Sequence, residues 1–370
     1  MNALLVTIFK VPNFGSVLQT YATQYVIEQL GARCIVLNYD HCQSEWGLLH
    51  GIPRQGWKNK IGRFLGLKPH HRKENKLKAF TDKYIHLSKA HRCLQDIKSE
   101  ENGKYDVYVV GSDQVWNTRF TNCDPVFLLE FVDDGKAHCI SVSSSFASNS
   151  IDTKYLSEFK THLAKFSNLS VREQGGITIL NDLGYTKAKQ ILDPTLLLSA
   201  AQWNGLRKKN EEKTEKYILL YMLTYAFEPR PLIFDVLDYY QQKLNCKIIA
   251  LEGYEECLGQ TSLEIEDATD SSVADFLRLF ANAELVVTSS FHGTAFALNY
   301  GRPLVSVTPP GADDRQGSLL KQLGLQQCQL QVYGGANLKQ LNPFYDVKKE
   351  QMKLQALRDE SLSWIAQSLK

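Results

Sequence analysis

A two-domain α/β fold, with a parallel sheet in each half, is what this sequence predicts, on three observations. Its 370 residues exceed what one hydrophobic core usually serves. The chain opens on a βαβ unit, and the same alternation of strand-like and helix-like stretches begins again after a charged, apolar-poor run from Arg207 to Lys216.

The first element is the apolar run from Ala3 to Phe9, of strand length, followed by a loop from Lys10 to Gly15. From Ser16 to Leu30 the apolar residues Val17, Leu18, Tyr21, Tyr25, Val26 and Leu30 recur at helical spacing, and Gly31 closes the segment. Cys34 to Tyr39 is the next strand. Two strands joined through a helix in this way run parallel.

An excursion follows over about 46–100, with a basic stretch from Arg54 to Lys78. Strands resume at Tyr105 to Val110 and Ala137 to Val142, with a helix over Lys154 to Phe166 and short strands at Leu169 to Val171 and Lys189 to Leu192. The second domain reads as strands at Tyr217 to Leu223, Cys246 to Leu251, Leu285 to Thr288 and Pro303 to Val307, with helices between them. Asp346 caps a last helix whose Leu354, Leu357, Trp364 and Ile365 share one face. The expected organisation is 1–206, 207–345 and a helix over 346–370 that packs back on the first domain.

Composition removes several function classes. With 44% hydrophobic and 22% charged residues the chain is an ordinary globular one, and a net charge of +2 makes no demand for nucleic acid. No window approaches the roughly 18 apolar residues of a membrane span, and the apolar start has neither a basic lead nor a small-residue cleavage site. The eight cysteines are scattered without a CxxC pair or a cysteine–histidine ligand spacing, so reduced thiols, a cytoplasmic location and no metal are expected.

Ligands of open parallel sheets gather at the carboxyl ends of strands, and four polar loops stand there. Asn13-Phe14-Gly15-Ser16 follows the first strand: Gly15 turns the chain, Ser16 can cap the helix, and its amides attract anions. The competing reading is an ordinary turn, and the absence of a GxGxxG fingerprint argues against a dinucleotide. Gly111 to Asn117 follows another strand and offers Ser112, Asp113, Gln114, Trp116 and Asn117, a set able to hydrogen-bond a sugar and cover it with an aromatic face, or equally to cap a helix while Trp116 packs inward.

Ser170-Val171-Arg172-Glu173 sets an arginine, the natural partner of carboxylate or phosphate, at a strand end, unless it is spent on a salt bridge; Asp193-Pro194-Thr195 follows nearby. Thr288 to Thr294 is the fourth loop. Its Ser289, Ser290, Phe291, His292, Gly293 and Thr294 lead into a helix, with His292 in the first turn, where the helix dipole favours an anion and an imidazole can move a proton.

Taken in order from Asn13 to Pro303, NFGS, GSDQVWN, SVRE, DPT and TSSFHGTAFALNYGRP resemble the polysaccharide pyruvyl transferase family. The resemblance implies a fold similar to GT-B glycosyltransferases, with two Rossmann-like domains facing a cleft. It implies transfer of the pyruvyl group of phosphoenolpyruvate onto a sugar of a cell-surface polysaccharide or its lipid-linked precursor, as a ketal, with phosphoenolpyruvate as donor substrate and no cofactor. By the same resemblance Arg172 holds the donor and His292 is the general acid, with Asp113 or Glu173 accepting hydroxyl protons. The chain departs from the family at Ser290, where many members carry a basic residue: either Ser290 and the helix amides take over anion binding, or another cation such as Arg315 does, or the donor or acceptor differs.

Two other readings fit the same architecture: a glycosyltransferase using a nucleotide sugar, and a noncatalytic glycan-binding or assembly protein. The basic stretch, which also carries Trp57, Ile61, Phe64 and Leu65, suits either a solvated insertion or peripheral contact with anionic lipid at the inner face of a membrane.

Overall fold

The computed structural model of the chain describes residues 1–52, 69–133, 135, 137–207, 215–309, 315–332, 338 and 341–370. Most of the basic stretch and of the charged run 207–216 lie outside the described residues, and so do Trp57, Ile61, Phe64 and Leu65.

Among the described residues the chain divides into two units: those within Met1–Lys60, Ala79–Leu197 and Leu357–Lys370, and those within Ile61–Lys78 and Leu198–Ala356. The division after Leu197 falls earlier than the expected boundary at 206, and the start of the Pro69–Tyr84 helix belongs with the second unit rather than with the first.

The first unit is built on a six-stranded sheet in the order β3-β2-β1-β4-β5-β6. Its strands are β1 (Asn2–Val6), β2 (Arg33–Tyr39), β3 (Leu87–His91), β4 (Val107–Val110), β5 (His138–Ser141) and β6 (Phe166–Asn168). Every pairing in it is parallel. Central β1 and β4 are almost wholly buried and read as continuous apolar runs, as strands covered on both faces must. The separate pair β7 (Ser170–Val171) and β8 (Lys189–Gln190) extends this unit.

The second unit repeats the plan with the order β11-β10-β9-β12-β13-β14. Its strands are β9 (Tyr217–Tyr221), β10 (Lys247–Glu252), β11 (Ile265–Asp267), β12 (Leu285–Thr288), β13 (Leu304–Thr308) and β14 (Gln329–Gln331), again all parallel. A core of Ile218, Leu220, Val236, Leu237, Ile248, Val287 and Val305 lies against the sheet.

The last helix, Val347–Ser368, starts where Asp346 Oδ1 accepts the Lys349 amide at 3.0 Å. From Leu357 onward it belongs to the first unit, where Arg358 Nε donates to the Leu196 carbonyl at 2.8 Å and the Leu192 amide donates to Ser361 Oγ at 3.1 Å. No helix among the described residues is long and apolar enough to cross a membrane.

Both sheets reverse their winding at one place, between β1 and β4 in the first and between β9 and β12 in the second. At such a switch point the loops leave to opposite faces, so a crevice opens at the carboxyl ends of the two strands.

Candidate functional site

At the first unit's switch point the loops after β1 and β4 are joined by one short hydrogen bond, Ser16 Oγ donating to Asp113 Oδ2 at 2.6 Å. The helix carrying Ser16 is Phe14–Gln29, and its cap is Asn13, whose Oδ1 accepts the Gly15 amide at 2.8 Å. The expected cap at Ser16 is therefore corrected: the helix starts two residues earlier, and that frees the Ser16 hydroxyl to reach Asp113.

Asp113 sits at φ 70, a left-handed conformation that costs a residue with a Cβ energy, and such positions concentrate where side-chain aim matters. Its Oδ1 accepts the Gln114 amide at 2.9 Å and stands 3.5 Å from Arg172 Nη2. The turn is tight because Gly111 leaves no room: a Cβ there would lie 2.8 Å from Leu5 Cδ1.

Arg172 does not stand open at its strand end. Its side chain is fully buried, with Nη1 2.7 Å from Asp193 Oδ2 and Nε 3.8 Å from Glu173 Oε2. Burial alone disfavours the guanidinium charge, but Asp193, Asp113 and Glu173 outweigh it and push the pKa up. Among the described residues, three carboxylates thus stand around the Arg172 guanidinium. Asp193 in turn accepts from Ser112 Oγ at 2.8 Å and from Thr195 Oγ1 at 2.6 Å, so the DPT turn and the β4 loop close around Arg172.

Glu173 is 1% exposed, and its Oε1 accepts from the amides of Phe146 at 2.9 Å and Ala147 at 3.2 Å and from Ser145 Oγ at 3.1 Å. That carboxylate fastens a loop and is poorly placed to take a proton from a hydroxyl. Trp116 is likewise corrected as an aromatic face for sugar: it is 1% exposed, packs on Phe146, and its indole donates to the Phe127 carbonyl at 3.0 Å. Gln114 and Asn117, joined at 2.7 Å, stay half-exposed beside it.

At the second unit's switch point His292 occupies the second position of the helix Phe291–Asn299, directly after β12. Ser290 is the cap, its Oγ accepting the Gly293 amide at 3.4 Å. The neighbouring hydroxyls brace this start. Thr288 Oγ1 donates to the Tyr221 carbonyl at 2.7 Å, and Ser289 Oγ donates to the Leu223 carbonyl at 2.8 Å, so both tie β12 to the end of β9. Thr294 Oγ1 donates to the Ser290 carbonyl at 3.1 Å.

The hydroxyls expected to bind substrate are thus spent on holding the turn, while His292, 6% exposed and edge-on to Phe291, is carried where the helix amides carry positive charge. Arg315, at the start of the Arg315–Leu323 helix after neighbouring β13, is half-buried.

The close fit of this turn yields a first prediction. A Cβ on Gly293 would collide with Thr288 Oγ1 and come within 2.9 Å of Tyr221 Cδ1. Gly293→Ala is expected to cost about 1–3 kcal/mol in a denaturant titration and to lower activity by displacing His292.

One group escaped the sequence analysis. Asp40, His41 and Cys42 follow β2, and their ligand-type atoms all lie within 4.8 Å of one another. A search for spaced cysteine and histidine pairs passes over a run of adjacent residues; an Asp-His-Cys triplet at a strand's carboxyl end was the available signal. Burial pushes the His41 pKa down to about 4, so its imidazole is neutral near pH 7.

Two six-stranded parallel sheets, each with a polar cluster at its switch point, define an α/β protein of GT-B type. Solved structures of that fold align along the whole chain, each with a TM-score of 0.51. The UDP-GlcNAc 2-epimerase from Methanocaldococcus jannaschii is 14% identical, covering 96% of this chain and 99% of its own. The UDP-GlcNAc 2-epimerase from Neisseria meningitidis is 9% identical and the kitacinnamycin glycotransferase 12%, each covering 100% of this chain and 99% of its own. At such identities the likeness establishes the fold alone. No curated protein matches. The chain belongs to the polysaccharide pyruvyl transferase family, whose model matches residues 13–310. It is accordingly a transferase of polysaccharide biosynthesis.

Proposed function

We propose that this enzyme moves the pyruvyl group of phosphoenolpyruvate onto a sugar of a cell-surface glycan or its lipid-linked precursor, forming a ketal. The observation that carries the reading is the family match over residues 13–310, with His292 at a helix start on a topological switch point.

The chemistry asks for a proton donor and for positive dipoles, and the residues supply both kinds. His292 gives a proton to the methylene carbon of phosphoenolpyruvate, which becomes the methyl group and leaves an oxocarbenium-like centre. One sugar hydroxyl attacks that centre and gives up its proton to Asp113. A second hydroxyl then replaces phosphate, closing the ketal; its proton restores the acid, and the proton held by Asp113 leaves with the phosphate. Helix amides after β12, together with Arg315, counter the donor's charge. Asp113 is favoured over Glu173 as acceptor because Glu173 Oε1 already takes three donors. Arg172 acts in this account as a positioning residue for Asp113, not as a contact to the donor.

The acceptor site faces the cytoplasm in this reading, where phosphoenolpyruvate is supplied, and lipid-linked acceptors would bring the protein to the inner membrane face. Incubation with phosphoenolpyruvate and a panel of glycans should release phosphate and give a glycan carrying the added mass of a pyruvate ketal. Turnover of a nucleotide sugar with no such adduct would overturn the reading in favour of glycosyl transfer, and glycan binding with neither product would leave a noncatalytic protein.

A further inference from the structure

The Asp40-His41-Cys42 turn has the makings of a cation site. Cys42 Sγ is 3.3 Å from His41 Nε2, and two ligands bound 2.0–2.3 Å from one tetrahedral ion stand roughly 3.5 Å apart. His41 is 3% exposed and Cys42 8%, whereas Asp40 is half-exposed, so the group is walled by protein on one side and reachable on the other.

His41 and Asp40 are held in place without a metal. The imidazole lies 4.9 Å from the Phe120 ring and 5.8 Å from that of Phe127, and the His41 carbonyl accepts Ser44 Oγ at 2.8 Å. Asp40 is pinned by the Cys42 amide at 3.2 Å and by Gln43 Nε2 at 2.8 Å. Little ordering entropy is left for a ligand to supply.

The donor chemistry selects the ion. Magnesium and calcium take oxygen sets, while one imidazole, one thiolate and one carboxylate suit a borderline cation. We propose that Asp40, His41 and Cys42 form a three-ligand site for a divalent cation of the zinc class, with the fourth position left to water or a bound ligand. On binding, the Cys42 thiol loses its proton to solvent as the metal–sulfur bond forms.

Its place gives the site a use. β2 lies beside β1, which lies beside β4, so the turn borders the Ser16–Asp113 cluster, and the Asp113 charge is felt at His41. A cation there would offset the negative charge gathered around Arg172 and draw an anionic group to that strand end.

The test is cobalt titration of the full-length, chelator-treated protein, a readout that needs no turnover. Expected are one equivalent of Co2+ per chain, thiolate-to-cobalt charge-transfer absorption, and its displacement by Zn2+. Cys42→Ser should abolish the absorption, Asp40→Asn should weaken binding by at least about ten-fold, and Cys246→Ser should leave both unchanged. Circular dichroism keeps these conservative variants interpretable. No charge-transfer absorption in the wild-type protein would overturn the proposal, reducing the pair to a thiol–imidazole hydrogen bond; absorption that survives Cys42→Ser would overturn it equally.

Discussion

Replacing His292 with alanine is expected to lower kcat by about 10²–10⁴-fold while the protein remains folded. The physical reason is the division of labour at the start of the Phe291–Asn299 helix. Thr288, Ser289 and Ser290 tie the turn to the end of β9 and cap the helix, and these bonds do not involve the imidazole. A purely structural histidine predicts the reverse, a loss of stability with residual activity in proportion to folded protein. His292→Gln separates the two, because it keeps polarity and bulk but cannot act as an acid near neutral pH. A lost kcat, a nearly unchanged KM and an unaltered melting temperature in both variants would identify the proton donor. An active His292→Gln enzyme would remove His292 from the chemistry.

How far the fold could be read in the sequence follows from which strands are buried. β1, β4, β9 and β12 are central and covered on both faces, and the apolar runs at Ala3, Tyr105, Tyr217 and Leu285 announce them. The strands not foreseen are all sheet edges. β3 reads Leu-Ser-Lys-Ala-His with its middle exposed, β11 is Ile-Glu-Asp, and β14 is Gln-Leu-Gln. An edge strand needs only backbone pairing on one side, so its side chains carry no periodic signal, and charged edges resist unwanted pairing. The predicted helix Lys154 to Phe166 runs into the first residue of β6, whereas the observed helix stops at Leu163 and Phe166 starts the edge strand.

The strand-end loops were legible in the sequence, the surroundings of their side chains less so. All four polar loops lie after strands of the two units, as strand-end reasoning requires, and Asp113 and His292 fall at the switch points themselves. Residue type alone could not say where each side chain points. Trp116 and Arg172 are both residues that binding sites favour, and both are turned inward, the one into the core and the other into a carboxylate cluster. Nothing in one sequence shows that Asp113, Glu173 and Asp193 converge on the same guanidinium, because the convergence is set by three separate loops.

That convergence makes the loss of Arg172 costly to stability. Arg172→Met keeps much of the side chain's length but takes from Asp113, Glu173 and Asp193 the guanidinium they share, although Asp193 keeps its bonds to Ser112 and Thr195. Breaking a buried pair by removing one partner typically costs about 3–5 kcal/mol, since the remaining charge is neither solvated nor neutralised. A shift of that size in chemical denaturation is the expected result. Arg172→Lys should restore only part of the loss, because a point charge cannot meet three carboxylates as a planar guanidinium does. Were Arg172 instead a contact to the donor, Arg172→Met would fold with wild-type stability and show only a raised KM, and that outcome would return it to the role first expected of it.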